Sequence, residues 1–217
     1  MKKTEQSLTG NLNHFAQIKF DADCLLEMAQ AATDHSKITF SRTAILTYII
    51  SLEILINRVI EEFWPKELPR TFYADVKRWP TPKKWEEVPK IFRNAKIEKG
   101  RGPIQLIKAL FEVRNDIVHA QDNTFQVKMN AYKTNEGWEI HMPPNPEKYP
   151  MLNLIKDPCN WLPSDASNIK RIVQELITWL DGHFSGDLTK TDWIISDFYE
   201  DKYGFKIAII RNYMNDK

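Results

Sequence analysis

Apolar residues recur at helical spacing in four stretches of the chain. On an ideal helix, the apolar positions of residues 41–63 and of residues 165–183 each fall on one arc, as in helices that pack one face against a core. Shorter stretches at 21–35 and 103–121 follow the same rule. The pattern therefore predicts four amphipathic helices, the last of them capped by Ser164.

Alternation of apolar and polar residues predicts a different element between the third and fourth helices. Two short alternating runs flank the turn-forming residues 133–137, which indicates a β-hairpin. The apolar positions of the two runs are Phe125, Val127 and Met129, then Trp138, Ile140 and Met142. A proline-rich loop is predicted over 143–163. In the tail, residues 184–217, the stretch 192–203 favours a helix and 205–214 suits either a strand or a helix.

Residues 64–103, between the second and third predicted helices, differ in composition from the rest of the chain. They hold six of the twelve prolines, which predicts loops and short helices, one of them over about 84–95. They also hold eleven basic against five acidic residues, a local net charge of +6. The remainder of a chain with net charge +1 therefore carries −5.

Aromatic side chains are interleaved with these cations, and that combination is typical of a groove for single-stranded nucleic acid. The candidate RNA-binding residues are Lys77, Arg78, Lys83, Lys84, Trp79 and Trp85. The alternative interpretation is a proline-punctuated connector whose aromatic side chains pack on the helices and whose lysines are merely solvated.

The composition is that of a compact globular domain, with 42% hydrophobic and 27% charged residues. No apolar run approaches the ~20 uninterrupted residues of a membrane span, and the polar first residues lack a signal-peptide core. Cys24, Cys159 and the five histidines form none of the spacings typical of a metal site. We expect a single cytoplasmic domain over 1–217 with no membrane span, no metal and no cofactor.

The residues best suited to chemistry lie near the end of the third helix, in the hexapeptide Arg114-Asn115-Asp116-Ile117-Val118-His119. Arg114 projects from the apolar arc, where a guanidinium needs a counter-charge or a partner surface. His119 lies about 140° further around the axis, beside Asn115. One helix therefore does not aim Arg114 and His119 at one atom, whereas two copies about a two-fold axis would bring both pairs into a shared cleft.

The second helix adds a carboxylate in an unusual place. Glu53 projects between Leu46 and Ile60, inside the apolar arc of its helix. A charge-assisted bond from Glu53 to Arg114 would satisfy both side chains and fix the guanidinium in position. The alternative is that Glu53 sits at the rim of the arc and reaches water.

The pattern formed by Arg114, Asn115 and His119 resembles the RNxxxH motif of the HEPN superfamily, small α-helical domains whose active members carry this motif late in a helix. The order of elements is also similar to that family: a strongly apolar helix, a variable connection, the helix with the motif, and a last amphipathic helix. The resemblance covers roughly residues 40–63, 102–121 and 164–183.

The resemblance implies a mainly α fold, an HEPN-like four-helix bundle with elaborations. Its core helices would lie within about 21–63, 102–121 and 164–183. Residues 64–103 would be a basic insertion, 122–163 a small β-hairpin and loop, and 184–217 a C-terminal extension.

The same residues suit cleavage of RNA through its own 2′-hydroxyl. A histidine can exchange protons with the attacking and leaving oxygens, an arginine can neutralise the phosphate, and Asn115 can orient the histidine or bond the phosphate. The resemblance implies a homodimeric endoribonuclease, either a toxin with a cognate antitoxin protein or an anti-phage defence effector. The alternative is a non-catalytic HEPN-like module that binds RNA, a nucleotide or a protein partner through the same dimer groove.

Overall fold

The computed structural model describes residues 14–98, 100, 102–119, 130–134, 137–141, 147–186, 188, 197–200 and 206–209. This part of the chain is mainly α-helical, which confirms the prediction of a mainly α fold. Its six α-helices are α1 (His14–Ala31), α2 (Ser36–Glu62), α3 (Arg70–Arg78), α4 (Thr81–Arg93), α5 (Pro103–Val118) and α6 (Pro163–His183). Its strands form three antiparallel pairs: β1 (Asn130–Thr134) with β2 (Gly137–His141), β3 (Lys148–Tyr149) with β4 (Leu154–Ile155), and β5 (Asp197–Glu200) with β6 (Lys206–Ile209).

The central element of the described fold is α2, which contacts α1, α4, α5 and α6. Its buried positions include Ile45, Ile49, Leu52 and Ile56. Among the described helices only α2 is long and apolar enough to cross a membrane, but 56% of that apolar stretch is buried by the rest of the protein. A helix covered on several sides needs this composition, so its apolar character follows from its place in the core.

Two helices begin earlier than the apolar pattern predicts. The start of α1 is His14 rather than Asp21, because Phe15 is fully buried and extends the core contact in that direction. The start of α2 is Ser36 rather than residue 41. There the carboxylate of Asp34 accepts the backbone N–H of Ser36 (2.9 Å), which satisfies a donor that has no partner within the helix.

The prediction that Ser164 caps the last helix is wrong by two residues, because the N-cap is Leu162. Pro163 is the first residue of α6, a position that suits proline because its missing N–H would have no helical partner. The Asp165 carboxylate accepts the backbone N–H of Leu162 (2.8 Å) and fixes the entry of the chain into the helix. The helix ends at His183, as predicted.

The basic segment is more ordered than a connector. It contains two helices, α3 and α4, and the helix predicted over about 84–95 begins earlier, at Thr81. Pro82 fits the first turn of α4, and Asn94 ends that helix in the left-handed conformation (φ 50°). The Trp64 ring meets the rings of Tyr73 and Phe92 edge-on at 5.0 and 5.6 Å, which ties both helices to the end of α2.

A β-hairpin forms in this region, with β1 and β2 paired from Asn130 opposite His141 to Thr134 opposite Gly137. Its second strand matches the predicted run, but β1 lies after the first predicted run and includes residues 133 and 134 of the predicted turn. The first predicted run, residues 125–129, lies outside the described residues. The predicted loop 143–163 contains β3, β4 and a short 3-10 helix (Pro158–Asn160).

The helix predicted over 192–203 is wrong for its described part, because Asp197–Glu200 forms β5 and pairs with β6. Of the stretch 205–214, the described residues Lys206–Ile209 are strand. A strand gains its backbone hydrogen bonds from a partner elsewhere in the chain, which local periodicity does not record.

Candidate functional site

Arg114 and Asn115 lie in the last turn of α5, at the edge of its buried face. The face itself is formed by Ile107, Leu110 and Phe111, and the chain enters the helix through Gly102 (φ 55°) and Pro103. Arg114 is half-buried and Asn115 is exposed. The Arg114 Nη1 donates to Asn115 Oδ1 (3.1 Å), so the two side chains form one unit. A guanidinium carries five N–H donors, and within the described part of the chain most of those of Arg114 are left for another acceptor.

This pair opens onto a pocket of about 290 Å³ between three parts of the fold. α2 contributes Glu53, α5 contributes Phe111 and the pair itself, and the remaining wall is the turn between α3 and α4. The described lining residues are Glu53, Trp79, Pro80, Thr81, Pro82, Phe111, Arg114 and Asn115. Four of the sequence-predicted site residues, namely Glu53, Trp79, Arg114 and Asn115, are thus brought together here.

His119 is exposed and does not line this pocket. It is the residue that ends α5, and its backbone N–H donates to the carbonyl of Asn115 (2.9 Å). At about 1.5 Å of rise per residue, its Cα lies about 7.5 Å along the axis from that of Arg114 and on another side of the helix. The expectation that one helix does not aim Arg114 and His119 at a single atom agrees with this placement.

The expected bond between Glu53 and Arg114 is not formed. Among the described residues no hydrogen bond or ion pair joins them, and Arg114 bonds Asn115 instead. Both side chains are only half-buried and face an open pocket. Because water reaches them there, neither needs the other as a counter-charge.

Lys84 and Trp85 do not belong to an RNA-facing surface, which corrects that part of the prediction. Lys84 is 4% exposed, and its Nζ donates to Asn57 Oδ1 (2.8 Å) on α2. Burial lowers the pKa of Lys84, and the nearby charge of Glu53 opposes that shift. Trp85 is fully buried, donates its indole N–H to the Leu52 carbonyl (3.3 Å), and belongs to the core.

The other candidates of the basic segment lie at the surface. Lys77 and Arg78 are exposed at the end of α3, where Lys77 pairs with Glu61 (2.7 Å). The Lys83 ammonium lies over the Trp79 ring, 4.1 Å from its centroid. Trp79 is half-buried and continues this surface into the pocket wall. The buried Lys84 and Trp85 agree with the connector interpretation, and RNA binding by the exposed residues stays a prediction.

Asp116, within the hexapeptide, has a role that sequence reasoning missed. Its Oδ2 accepts the hydroxyl of Tyr149 (2.8 Å), so it ties β3 to the last turn of α5. Burial raises the pKa of Tyr149, and the hydrogen bond to Asp116 raises it further. No signal in the sequence pairs two residues 33 positions apart.

Within the described residues, no group of three or more His, Cys, Asp or Glu side chains is placed to hold a metal ion. Comparison of the chain with protein-family models, with curated proteins and with solved structures finds no match.

Proposed function

We propose that this protein is a HEPN-like, metal-independent endoribonuclease that works as a homodimer in the cytoplasm, without a cofactor. The observation that carries the proposal is the placement of Arg114 and Asn115 at an open pocket with an aromatic wall, and of His119 exposed at the end of the same helix. A phosphodiester cleavage through the 2′-hydroxyl needs proton transfer and stabilisation of the phosphate charge, which imidazole and cationic side chains can supply.

In the proposed reaction the 2′-hydroxyl oxygen of RNA attacks the adjacent phosphorus and the bond to the 5′-oxygen breaks. His119 takes the proton from the hydroxyl or gives one to the leaving oxygen. Arg114 stabilises the negative charge that develops on the phosphate, and Asn115 holds the guanidinium through the bond described above. The products are a 2′,3′-cyclic phosphate and a free 5′-hydroxyl.

A second copy of the chain completes the site in this proposal. Val118, one turn beyond Arg114 on α5, is 55% exposed, and Ile50, one turn before Glu53 on α2, is 41% exposed. The proposal places both of these exposed apolar side chains in the dimer interface. A two-fold axis beside α5 and α2, as in the HEPN-like bundle arrangement, would let the Arg114 of one copy and the His119 of the other act on one phosphate.

The second candidate function is a non-catalytic module of the same fold class. It is favoured by the absence of His119 from the pocket lining, since Arg114, Asn115 and Trp79 alone provide for binding RNA, a nucleotide or a protein partner.

As an active ribonuclease the protein would act as a toxin with a cognate antitoxin or as an anti-phage defence effector.

The first experiment incubates purified protein with single-stranded RNA and with DNA of the same sequence in excess EDTA. We expect cleavage of RNA only, with 2′,3′-cyclic phosphate or 3′-phosphate ends, because DNA lacks the internal nucleophile. Arg114→Ala and His119→Ala should each reduce the rate by about 10²-fold or more. RNA binding should survive better in His119→Ala, because the histidine serves chemistry more than affinity.

His35→Ala is the matched control, since His35 is also exposed beside a helix end but far from the hexapeptide in sequence. It should cleave like the parent protein. Cleavage that persists in both site variants would contradict the proposed site. Salt-sensitive binding without cleavage, across varied RNAs, would instead support the non-catalytic module.

A further inference from the structure

The pocket beside Arg114 combines chemical groups that phosphate binding alone does not require. A phosphate site is expected to be lined by donors and cations, yet Glu53 places a carboxylate in the same pocket as Arg114. Trp79, Phe111 and two prolines add aromatic and apolar side chains to the lining, beside Thr81. The pocket therefore suits a ligand with an anionic part, a planar apolar part and an edge that donates hydrogen bonds.

The Glu53 carboxylate has acceptor capacity to spare. Among the described residues it makes no hydrogen bond and no ion pair. Lys84, the cation whose pKa it affects, gives its ammonium to Asn57 (2.8 Å). A half-buried carboxylate without a partner gains from any ligand that presents donors to both of its oxygens. Glu53 lies on the central helix α2, and the packing of that helix in the core fixes the position of its backbone.

The size and walls of the pocket favour a nucleobase. At about 290 Å³ it lies at the small end of ligand pockets, which span roughly 300–1,000 Å³. Unpaired RNA bases bind proteins by packing on aromatic side chains while their Watson–Crick edges form hydrogen bonds. Trp79 supplies the aromatic wall, and Arg114 stands at the other side for the attached phosphate.

We infer that this pocket binds the guanine base of single-stranded RNA, with the Glu53 carboxylate accepting from N1–H and from the N2 amino group. Guanine alone presents two adjacent donors at that edge. Adenine and cytosine place a ring-nitrogen acceptor there, and uracil places carbonyl acceptors on both sides of its single N–H. These acceptors face the carboxylate without a proton between them, so the same group that attracts guanine rejects the other bases.

The inference deepens the proposed function and rests on it in taking RNA as the ligand, but its first test does not need cleavage. Calorimetric titration of the protein with the 3′-monophosphates of guanosine, inosine and adenosine separates the contributions of the base edge. Guanosine 3′-monophosphate should bind about tenfold or more tightly than the adenosine nucleotide. The inosine nucleotide, which differs from the guanosine nucleotide only in lacking the N2 amino group, should bind with an affinity between the two. Equal binding of all three nucleotides would overturn the inference and leave the proposed function standing.

Glu53→Gln tests the carboxylate itself, because glutamine keeps the size of the side chain while placing an amide donor against the guanine donors. The preference for guanosine over adenosine should fall about tenfold. The matched control is Glu62→Gln, an exposed glutamate on the same helix, which should keep the preference. Trp79→Phe should weaken the binding of all three nucleotides alike, since stacking does not distinguish the bases. A preference that survives Glu53→Gln would overturn the assignment of Glu53.

Mapping the ends produced from a mixed-sequence RNA completes the test. Cuts should lie beside guanosine in the parent protein and spread to other bases in Glu53→Gln. Cuts that ignore sequence in both proteins would reject the guanine pocket but not the ribonuclease. If no RNA is cut while guanosine monophosphate still binds preferentially, the pocket is supported and the catalytic proposal fails.

Discussion

Lys83 and Lys84 are adjacent and identical in type, yet the fold gives them opposite roles. The sequence could not separate them, because their orientation depends on where α4 begins, and Thr81 lies earlier than the apolar pattern indicates. Once the helix is in place, Lys84 faces α2 and bonds Asn57, while Lys83 stays at the surface over Trp79. Two neighbouring positions on a helix lie about 100° apart, which is enough to turn one lysine inward.

We therefore expect Lys83→Ala and Lys84→Ala to differ in what they change. Lys84→Ala leaves the Asn57 amide oxygen without its donor and should lower the free energy of unfolding by about 1–3 kcal/mol. Lys83→Ala should leave stability unchanged but weaken RNA binding and reduce the slope of log affinity against log salt by about 1. Urea unfolding and salt-dependent binding measure the two effects. Weaker RNA binding by a Lys84→Ala protein of unchanged stability would contradict its burial.

Asp23 offers a test by pH, because it joins α1 to α2 and α6. Burial alone would raise the pKa of Asp23, but hydrogen bonds from Lys170 (2.8 Å) and Tyr48 (2.5 Å) and the nearby Lys19 outweigh it, so the pKa lies below its ordinary 3.8. A carboxylate with a depressed pKa stabilises the fold above the unfolded value and loses that contribution as pH falls through the folded value.

Asp23→Asn should accordingly lower the free energy of unfolding by about 1 kcal/mol at pH 7, a figure reduced for solvent screening because Asp23 is half-buried. The difference between the two proteins should shrink below pH 3.8, where the unfolded carboxyl is protonated. Asp21→Asn, an exposed aspartate on the same helix, should show neither effect. Urea denaturation over a pH series provides the measurement, and a difference that does not vary with pH would rule out the charge as its cause.

Among the elements, the sequence best predicts the helices in which apolar positions recur over several turns. This holds for α2, α5 and α6, whose types and approximate bounds follow from the sequence. The nine-residue α3 was not predicted individually, since its apolar residues pack on Trp64 rather than forming a long arc. The sequence predicts a helix in place of β5 and allows either a strand or a helix for β6. Local periodicity does not identify these strands, because each obtains its hydrogen bonds from the other.

The last turn of α5 depends on β3 through the bond from Tyr149 to Asp116. Tyr149→Phe removes only the hydroxyl, so it should lower the free energy of unfolding by about 1–3 kcal/mol. Because Asp116 neighbours Asn115, we also expect slower RNA cleavage with little change in nucleotide affinity. Phe92→Leu, a conservative change in the aromatic cluster around Trp64, is the control for stability loss away from the helix end. Full cleavage activity in Tyr149→Phe would show that the helix end does not need this support.

At the scale of the whole molecule, the sequence predicts that Arg114 and His119 of one copy lie on different sides of α5. A single copy of the structure keeps them apart in this way. The periodicity of α5 determines the angle between the two side chains, so that part of the site could be derived without a structure. The pocket could not, because it depends on how the turn at Pro80 meets α2 and α5.

Mixing two inactive variants tests the shared site directly. Arg114→Ala keeps His119, and His119→Ala keeps Arg114. A mixed dimer therefore has one site with both groups if each site takes one residue from each copy. Random exchange should then restore up to about a quarter of the parent activity, since half the dimers are mixed and each has one complete site. Adding Val118→Asp to both chains should abolish this recovery by placing a charge in the proposed interface. Mixtures that stay inactive although native mass spectrometry detects mixed dimers would show that each site uses the residues of one chain.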